Sequence, residues 1–490
     1  MQELRRLILG ILLAVYVIAC LLLISYGTCL MFKPGIKDGQ DQTGLIALSS
    51  APKGADIYLE KSKYSQKTPA VIKDLAPGAY TTKLSLKDHN LWQDSLEVLS
   101  KKNTIRQKIL FIPNRWKQEE LASDGFQSLI PVSFGKSLLI VNGKRINDYF
   151  IYDLQNQSLK PLLPRSSKFR GAKVLSHFTM PDSPAILLCL ESYQGRSFIW
   201  LKDSAYGVEI EDITELFPEY PLRVVWDPYD PGYLYAFQNG YINLIDIANR
   251  EVFPNYFDKV RGYGVFNKKL YVIKDIRAFL RLGLHDDNEE LISDDPILGN
   301  FLFRKEGFFQ IKPLSEDIIV FLGEAGELTS NQLPHRFADQ GVLNLKHYTP
   351  AKRSLFWQKD KLGVIDFSTM EIIPIRYDKG PLVFLDVLEG GAQHSTLFDN
   401  GRFIEQAFWV YDGTHILLKD EDDVLLFELI PRKDSRKNHV VKVKEDSSVY
   451  YSDLTGKLYF IDRITNRLSS IVIVPRNESV LSPFSKLKKK

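Results

Sequence analysis

The side chains best suited to hold a metal ion are scattered along the chain. The sequence has eight histidines, and His335 and His347 are the only two that lie within a dozen residues of each other. Structural zinc sites need closely and regularly spaced nitrogen or sulfur ligands, and that spacing does not occur here. We therefore predict no metal site and no cofactor.

Two acidic stretches are the next candidates for chemistry. Residues 420–423 read Asp-Glu-Asp-Asp between two apolar runs, but they lack the spaced ligands and the glycine of an EF-hand calcium loop. Residues 285–287 (His-Asp-Asp) and 294–295 (Asp-Asp) form the second cluster, in which no paired catalytic geometry is visible. We predict solvated turns at both places and assign no catalytic residue.

The motifs of common hydrolases and nucleotide-binding proteins are missing from the sequence. It contains neither a Gly-x-Ser-x-Gly turn nor a phosphate-binding loop that ends in Gly-Lys-Ser or Gly-Lys-Thr. Gly262-Tyr263-Gly264 begins like a dinucleotide-binding loop but lacks the third glycine and the following helix. A hydrolase or nucleotide-dependent function therefore loses support.

The three cysteines exclude a framework of disulfides. Cys20 and Cys29 lie inside an apolar run, and Cys189 lies in the apolar segment of residues 185–190. Small domains that depend on disulfides are much richer in cysteine. We predict that Cys189 is a buried thiol that packs like an aliphatic side chain.

The amino terminus has the length and composition of a membrane span. Residues 7–32 carry no charge, and about 20 apolar residues are enough to cross a bilayer as a helix. The apolar core of a cleaved signal peptide is shorter, about 7–15 residues. We expect an uncleaved transmembrane helix at 7–32 after a cytoplasmic tip at 1–6. Cleavage before Cys20, with a lipid on that cysteine, is the alternative.

The orientation of this span rests on two observations. Arg5 and Arg6 precede the span while Lys33 and Lys37 follow it, so the charge bias favours a cytoplasmic amino terminus only slightly. Nearly all of the chain follows the span, which is the form of a signal anchor whose bulk is exported. We expect a single-pass cell-membrane protein with an extracytoplasmic body.

The composition is that of a folded, largely β protein. The 490 residues are 44% hydrophobic and 25% charged, with a formal net charge of +3. A charge this close to zero gives no sign of a nucleic-acid-binding face, and we predict no nucleic-acid partner. The aromatic content of 12%, mostly Tyr and Phe, favours strands.

A small β domain is expected at 43–112, after a polar linker at 33–42. Its landmarks are turn residues in a fixed order: Pro52 and Gly54 in the stretch Pro-Lys-Gly-Ala, then Thr68-Pro69, then Pro77 and Gly78, and finally Trp92. Proline fixes the backbone before a turn and glycine permits positive φ, so these residues are expected to shape turns.

This segment resembles a PEGA domain, a small extracytoplasmic β-sandwich module named for the Pro-Glu-Gly-Ala turn. Here Lys53 stands in place of the glutamate, Gln66 stands where a glycine usually precedes Thr-Pro, and His89-Asn90 replace a common Gly-Tyr. The family is linked to cell-envelope and surface proteins and has no known catalytic residues. The resemblance therefore implies a location and a scaffolding role.

The rest of the chain repeats. The stretches FIYD, NLID, GVID and YFID end at Asp153, Asp246, Asp366 and Asp462, which lie 93, 120 and 96 residues apart. We predict that each aspartate closes a turn by accepting hydrogen bonds from backbone amides just after it. The turns Asn239-Gly240 and Thr455-Gly456 have hairpin chemistry.

These spacings are near multiples of about 40–48 residues, the length of a four-stranded propeller blade. Weaker copies fall near residues 198–201, 279–284, 318–328 and 424–427. We predict a β-propeller of about eight blades at 121–475, after a linker at 113–120. Seven blades are the alternative, because residues 382–403 fit the period badly. Residues 476–490 are expected to be a lysine-rich tail.

The leading hypothesis is a non-catalytic, membrane-anchored envelope protein whose propeller binds a protein or glycan partner outside the membrane. The alternative is an extracytoplasmic propeller hydrolase or lyase acting on cell-wall or sugar substrates, with residues contributed by separate blades. A third possibility is a sensor subunit, which would need a partner because its cytoplasmic portion is so short.

Overall fold

A computed structural model describes most of the chain beyond the amino-terminal segment. The described residues are Tyr16 and the following ranges: 43–100, 102–132, 137–164, 167–180, 183, 185–204, 207–217, 219–227, 230–274, 278–283, 290–293, 307–316, 318–331, 333–338, 341–367, 393–398, 401–429 and 437–475. They are mainly β, as predicted from the sequence. Within them no helix is both long and apolar enough to cross a membrane.

Several sequence-based predictions fall outside the described residues. The cytoplasmic tip, all of the expected span except Tyr16, the linker at 33–42 and the tail at 476–490 belong to this group. So do Cys20, Cys29 and the acidic residues at 285–287 and 294–295.

The chain divides into two structural units. The first unit comprises residues 1–48, 70–81 and 95–106, and the second comprises 49–69, 82–94 and 107–490. Residues 43–110 are divided between the two units and form seven strands. These are β1 (Gly44–Ala51), β2 (Asp56–Leu59), β3 (Ser62–Lys67), β4 (Ala70–Leu75), β5 (Gly78–Ser85), β6 (Trp92–Val98) and β7 (Asn103–Leu110).

The first unit contains most of a three-stranded sheet ordered β4-β1-β7. Ile46 pairs with Ile72 and Leu48 with Ala70, and all four are buried. The alternation of buried and half-buried residues along β1 is the period of a strand with one face in a core.

The second unit begins with most of a sheet ordered β3-β2-β5-β6. Ile57 pairs with Leu84, and both are fully buried. The edge strand β3 is mostly exposed and polar, and its Lys63 and Lys67 form ion pairs of 3.1 and 3.2 Å with Asp56. Charged, polar edges of this kind discourage pairing with other chains.

The remainder of the second unit is a series of antiparallel four-stranded groups. The first described strand after β7 is β8 (Gln118–Ala122). The first two groups comprise β9 (Ser128–Val132), β10 (Ser137–Val141), β11 (Tyr149–Asp153), β12 (Ser158–Pro161), β13 (Lys173–Thr179), β14 (Ala185–Ser192), β15 (Gly195–Ser204) and β16 (Gly207–Asp212).

The third, fourth and fifth groups follow directly along the chain. A parallel pairing of β21 with β25 joins the fourth and fifth into one eight-stranded sheet. Their strands are β17 (Arg223–Trp226), β18 (Tyr233–Gln238), β19 (Tyr241–Asp246), β20 (Glu251–Phe257), β21 (Val260–Phe266), β22 (Lys269–Lys274), β23 (Ala278–Gly283), β24 (Glu290–Ser293), β25 (Phe309–Pro313), β26 (Ile319–Gly323), β27 (Leu328–Ser330) and β28 (Leu333–Ala338).

The last three groups complete the series. The sixth and seventh comprise β29 (Asn344–Tyr348), β30 (Arg353–Trp357), β31 (Leu362–Asp366), β32 (Gln393–Phe398), β33 (Ile404–Val410), β34 (His415–Asp420), β35 (Asp423–Glu428) and β36 (Asn438–Lys442). The eighth comprises β37 (Tyr450–Ser452), β38 (Lys457–Ile461) and β39 (Leu468–Val472), and its fourth strand is β8.

β8 lies partly inside the segment 113–120 that was predicted from the sequence to be a linker. It pairs antiparallel with β39, with Glu120 opposite Ser469. Three short 3₁₀ turns, Ile146–Asp148, Thr214–Leu216 and Thr349–Ala351, complete the described elements.

Clusters of buried apolar side chains lie between each pair of consecutive groups. β14 shows how one strand serves two neighbours, since Leu187 and Cys189 pack towards the third group while Ile186 and Leu188 pack towards the first. Burial on both faces explains the unbroken apolar run of this strand. A further cluster joins the eighth group to the first, through Tyr459 and other buried residues.

Candidate functional site

The repeated aspartates stabilise turns. Asp153 Oδ1 accepts hydrogen bonds from the amides of Gln155 and Asn156 at 2.8 and 3.0 Å. Asp246 Oδ1 likewise accepts one from the amide of Asn249 at 3.0 Å. Burial raises the pKa of Asp153, but the hydrogen bonds from Asn156 and Gln155 more than offset this and lower it.

The other two aspartates differ from this pattern. Asp462 accepts amide hydrogen bonds from Ile464 and Thr465, but it follows the second strand of its group, whereas Asp153, Asp246 and Asp366 end third strands. Asp366 accepts a hydrogen bond at 2.8 Å from Nε of Arg353.

The PEGA-like turn residues shape the backbone without presenting a reactive group. Pro52 is followed by Lys53 and then by Gly54, whose φ is +91° and whose amide donates to the carbonyl of Thr68 at 2.8 Å. Pro77 precedes Gly78, which has a φ of +151° and is the first residue of β5. These positions are scaffold.

The acidic turn at 420–423 is neutralised by basic side chains. Asp422 carboxylate oxygens lie within ion-pair distance of Arg402, Lys442 and Arg463, with Arg402 Nη2 at 2.8 Å. Hydrogen bonding from Arg402 is the largest cause that lowers the pKa of Asp422, to about 2. The carboxylates are therefore already occupied, and within the described residues no cluster of potential metal ligands occurs.

Two isolated residues of types that often act in catalysis, Cys189 and His347, have structural roles here. Cys189 is fully buried, and burial raises the pKa of its thiol to about 11. Burial lowers the pKa of His347 to about 4, and its Nδ1 lies 2.8 Å from Ser354 Oγ. A buried neutral thiol and a buried neutral imidazole are poor nucleophile and base candidates.

Among the residues that the structure describes, a pocket of about 440 Å³ in the second unit is the candidate ligand site. We name it the aromatic pocket because four aromatic side chains line it. Its lining residues are Ser49, Ser50, Ala51, Lys53, Tyr348, Trp409, Tyr411, Asp412, Gly413, Tyr451, Asp453, Val474 and Pro475. Small-molecule sites usually have volumes of about 300–1,000 Å³.

Three consecutive groups each supply one tyrosine from their first strand or the residue after it. Tyr348 ends β29, Tyr411 follows the last residue of β33, and Tyr451 lies in β37, each the first strand of its group. Trp409, also in β33, donates a hydrogen bond from Nε1 to the carbonyl of Lys346 at 3.0 Å. This bond fixes its ring beside that of Tyr348, with centroids 5.9 Å apart.

The turn between β33 and β34 holds its residues in an unusual conformation. Tyr411, Asp412 and Gly413 all have positive φ, at +52°, +55° and +73°. Thr414 Oγ1 donates a hydrogen bond to the carbonyl of Tyr411 at 2.7 Å and supports the turn. The backbone of Gly413 also approaches the ring of Tyr348, since an added Cβ would lie 2.6 Å from Cε1. Left-handed conformations at non-glycine residues are costly and cluster at functional sites.

Residues 49–53 reach the aromatic pocket because the ends of β1 and β7 are fixed to the repeat region. Ala51 and Leu110 belong to a buried cluster that includes Val474 and other residues of the last two groups. The amide of Phe111 also donates to the carbonyl of Ala51 at 2.8 Å. Lys53 is thereby placed at the rim of the pocket.

Charged groups surround the aromatic floor. Asp412 forms an ion pair of 3.1 Å with Lys108, and Asp453 is exposed. Burial is the main cause that raises the pKa of Tyr348, and the nearby carboxylates of Asp412 and Asp453 add to it. The tyrosine hydroxyl therefore stays protonated and can donate a hydrogen bond, while the carboxylates accept.

Such a surface suits a small polyhydroxylated molecule. Aromatic rings cover the apolar C–H face of a sugar ring, and carboxylates accept hydrogen bonds from its hydroxyl groups. Sequence reasoning missed this site because its parts come from residues far apart. One signal was available, since Tyr348, Tyr411 and Tyr451 are each followed by a threonine within four residues.

Comparison with known proteins assigns only the amino-terminal module. Residues 43–110 match the family model described as PEGA domain, which confirms the resemblance predicted for that segment. No curated protein matches the chain.

Among solved structures, similar chains have low TM-scores. The computationally designed Ika8 protein has a TM-score of 0.43 at 11% identity, covering 72% of this chain and 100% of its own. The N-terminal domain of Nup159 has a TM-score of 0.34 at 13% identity, covering 73% of this chain and 95% of its own. PorZ is a surface component of the type-IX secretion system of Porphyromonas gingivalis. It has a TM-score of 0.36 at 12% identity, covering 70% of this chain and 42% of its own. These scores establish no shared fold.

Proposed function

We propose that this protein is a membrane-anchored, extracytoplasmic glycan-binding protein without catalytic activity. The observation that carries the proposal is the aromatic pocket, in which three tyrosines, a tryptophan and two aspartates meet. A glycan is favoured over a protein partner because the pocket is small and combines aromatic faces with hydrogen-bond acceptors.

A β-propeller of eight blades is the architecture we propose for the repeat region. Its support is threefold: the described residues form eight four-stranded groups, apolar clusters link each group to the next, and a last cluster links the eighth to the first. Pairing of β8 with β39 joins the two ends of the region, as closure of a ring of sheets requires.

Anchoring and export are proposed from the amino-terminal sequence. Residues 7–32 carry no charge and are long enough to cross a bilayer. The PEGA match at 43–110 supports the same location, because the family is linked to cell-envelope proteins. The site then faces the polysaccharides outside the membrane.

Binding is preferred over hydrolysis because of the surroundings of the carboxylates. Glycosidases need one carboxyl group in an apolar environment that keeps it available as the acid. Asp412 is exposed and forms an ion pair with Lys108, and Asp453 is exposed too, so neither carboxyl group of the pocket has that environment.

Binding can be tested on the full chain in lipid nanodiscs, with an array of neutral and acidic oligosaccharides followed by calorimetry on those that bind. We expect Tyr348→Ala to weaken binding about threefold to tenfold, because one aromatic platform is lost. Tyr193→Ala is the matched control, since Tyr193 is 95% exposed on the turn between β14 and β15. Equal affinity of the two variants, or capture of peptides but no saccharide, would reject the glycan proposal.

Orientation is tested separately on intact cells. Proteinase K added outside should degrade the region after residue 42 while a tag on residues 1–6 stays protected. Protection of the whole chain until the membrane is permeabilised would place the body in the cytosol and contradict the proposal.

A further inference from the structure

Lys53 occupies the second position of the Pro-x-Gly-Ala turn and carries a charge opposite to that of the family's residue. The family turn has a glutamate there, and Lys53 lines the aromatic pocket at its rim. Its side chain is exposed, and among the residues that the structure describes it makes no ion pair. A cation at the mouth of a pocket, without a carboxylate of its own, is available to a ligand.

The other charges at the aromatic pocket do not substitute for Lys53. Lys108 is held by Asp412 at 3.1 Å, so its charge is already balanced. Asp453, in the turn after β37, lines the pocket with a carboxylate. Lys53 and Asp453 thus give the pocket a positive and a negative contribution from two different segments of the chain.

The backbone that carries Lys53 is fixed. Gly54 donates from its amide to the carbonyl of Thr68, and Thr68 Oγ1 lies 2.6 Å from Ser50 Oγ. Ser50 Oγ in turn donates to the carbonyl of Pro52 at 2.7 Å. The backbone of Lys53 is therefore held at the rim of the pocket, so no ordering of this turn is needed when a ligand pairs with the ammonium group.

From these observations we infer that the ligand is an acidic saccharide, with a uronic acid carboxylate paired to Lys53 and sugar rings lying on the aromatic side chains. The hydroxyl groups at the other side of the ring donate to the aspartates. This inference rests on the proposed glycan-binding function and specifies the class of glycan.

The test compares each acidic oligosaccharide with its own methyl ester, which keeps the sugar rings and removes the charge. Tetramers of galacturonate, glucuronate and mannuronate, their methyl esters and neutral gluco-, manno- and chito-oligosaccharides are titrated into the full chain in nanodiscs. We expect at least one acid to bind about fivefold to tenfold more tightly than its ester, as for a partly exposed ion pair.

Substitutions at Lys53 assign the preference to this residue. Lys53→Met should make acid and ester bind equally, and Lys53→Glu, which restores the family residue, should make the ester the better ligand. Lys73→Met is the matched control, because Lys73 is an exposed lysine on β4 and should leave the preference unchanged.

The outcomes separate the two levels of the proposal. Equal binding of acid and ester by the unaltered chain, or an unchanged preference in Lys53→Met, overturns the acidic-saccharide inference. Binding of neutral oligosaccharides would then still support the glycan-binding function. Failure of every saccharide, with binding of a basic peptide in its place, would overturn both.

Discussion

At the level of single residues, Asp422 is a carboxylate paired with three basic side chains. It contacts Arg402, Lys442 and Arg463, and its side chain is only 10% exposed. Few side chains in the described regions join so many segments, because these three bases come from the start of β33, the end of β36 and the turn after β38.

The pairing of Asp422 predicts a specific dependence of stability on pH. Its pKa falls to about 2 in the folded state, whereas an unfolded aspartate has a pKa of about 3.9. Its contribution is therefore complete above about pH 4 and disappears as the pH falls towards 2. We expect the pairing of Asp422 to contribute about 1–2 kcal/mol to the free energy of unfolding at pH 7, a value that takes solvent screening into account.

Denaturant unfolding between pH 7 and pH 2.5 measures this contribution. Asp422→Asn should lower the unfolding free energy at pH 7 and flatten its decrease below pH 4. An unchanged acid profile in the variant would contradict the assignment. Asp453→Asn, outside the network, serves as the control.

Gly413 offers a second test at the residue level. Gly413→Ala places a methyl group 2.6 Å from Tyr348 Cε1 and introduces strain at a φ of +73°. We expect about 1–2 kcal/mol of lost stability, and weaker saccharide binding because the ring must move. Gly240→Ala has similar φ, +88°, and open space around the new methyl group.

Stability and saccharide affinity must both be measured for Gly413→Ala and Gly240→Ala. Gly240→Ala should lose stability but keep its affinity for saccharides in calorimetry. If Gly413→Ala binds as well as Gly240→Ala, the position of the Tyr348 ring is unimportant for the site.

Sequence reasoning reached the local residue chemistry but not the pocket. An aspartate followed by free amides forms its turn from neighbouring residues alone, so the turn at Asp153 could be anticipated. The aromatic pocket depends on how Tyr348, Tyr411 and Lys53 are brought together across the chain. No local pattern specifies that placement.

At the level of elements, β8 is the strand whose partner lies farthest away in sequence. Gln118 donates hydrogen bonds to Ser469 Oγ and Asp462 Oδ2, both at 3.0 Å. Lys457 and Arg467 add ion pairs to Glu119 and Glu120 at 2.7 and 2.8 Å. Exposed ion pairs contribute little, so the backbone ladder carries most of the pairing.

This reasoning predicts different effects for two substitutions at one position. Glu120→Pro removes a backbone donor and constrains φ opposite Ser469, and it should lower the unfolding free energy by about 1–3 kcal/mol. Glu120→Ala removes only the ion pair with Arg467 and should cost under about 1 kcal/mol. Similar midpoints in denaturant for both variants would show that β8 contributes little to stability.

The hairpins could be predicted because their turn residues are local. Asn239-Gly240 joins β18 to β19, and residues 453–456 join β37 to β38, as the sequence indicated. β8 was assigned to a linker because Gln118, Glu119 and Glu120 lack an apolar alternation. An outer strand with both faces largely exposed needs no apolar residues, so its sequence carries little signal.

At the level of the whole molecule, the repeat period was visible although its register was not. Copies of a strand-turn-aspartate pattern reveal that similar units follow one another, as the eight groups show. The pattern does not reveal which strand belongs to which group, because a strand taken from the far end can complete a unit. Asp462 follows a second strand, whereas the aspartates of the three similar stretches end third strands, and the sequence pattern alone does not distinguish the two positions.

Anchoring is the prediction that concerns the entire chain. If residues 7–32 cross the membrane, the full chain should stay in the membrane pellet after extraction at pH 11, because its apolar helix cannot be displaced by charge. A chain lacking residues 1–42 should be released into the soluble fraction with the same mainly β circular dichroism spectrum. Release of the full chain at pH 11 would rule out the span.

The long-range pairing of β8 has a consequence for biosynthesis. Gln118 and Ser469 are 351 positions apart, so β8 emerges from the ribosome roughly 20–70 s before its partner exists. During that interval its backbone groups are hydrogen-bonded only by water, and β8 is an unpaired edge strand. We expect chains truncated before β39 to keep this edge exposed and to aggregate more readily than the full chain, because unpaired edges invite pairing with other strands.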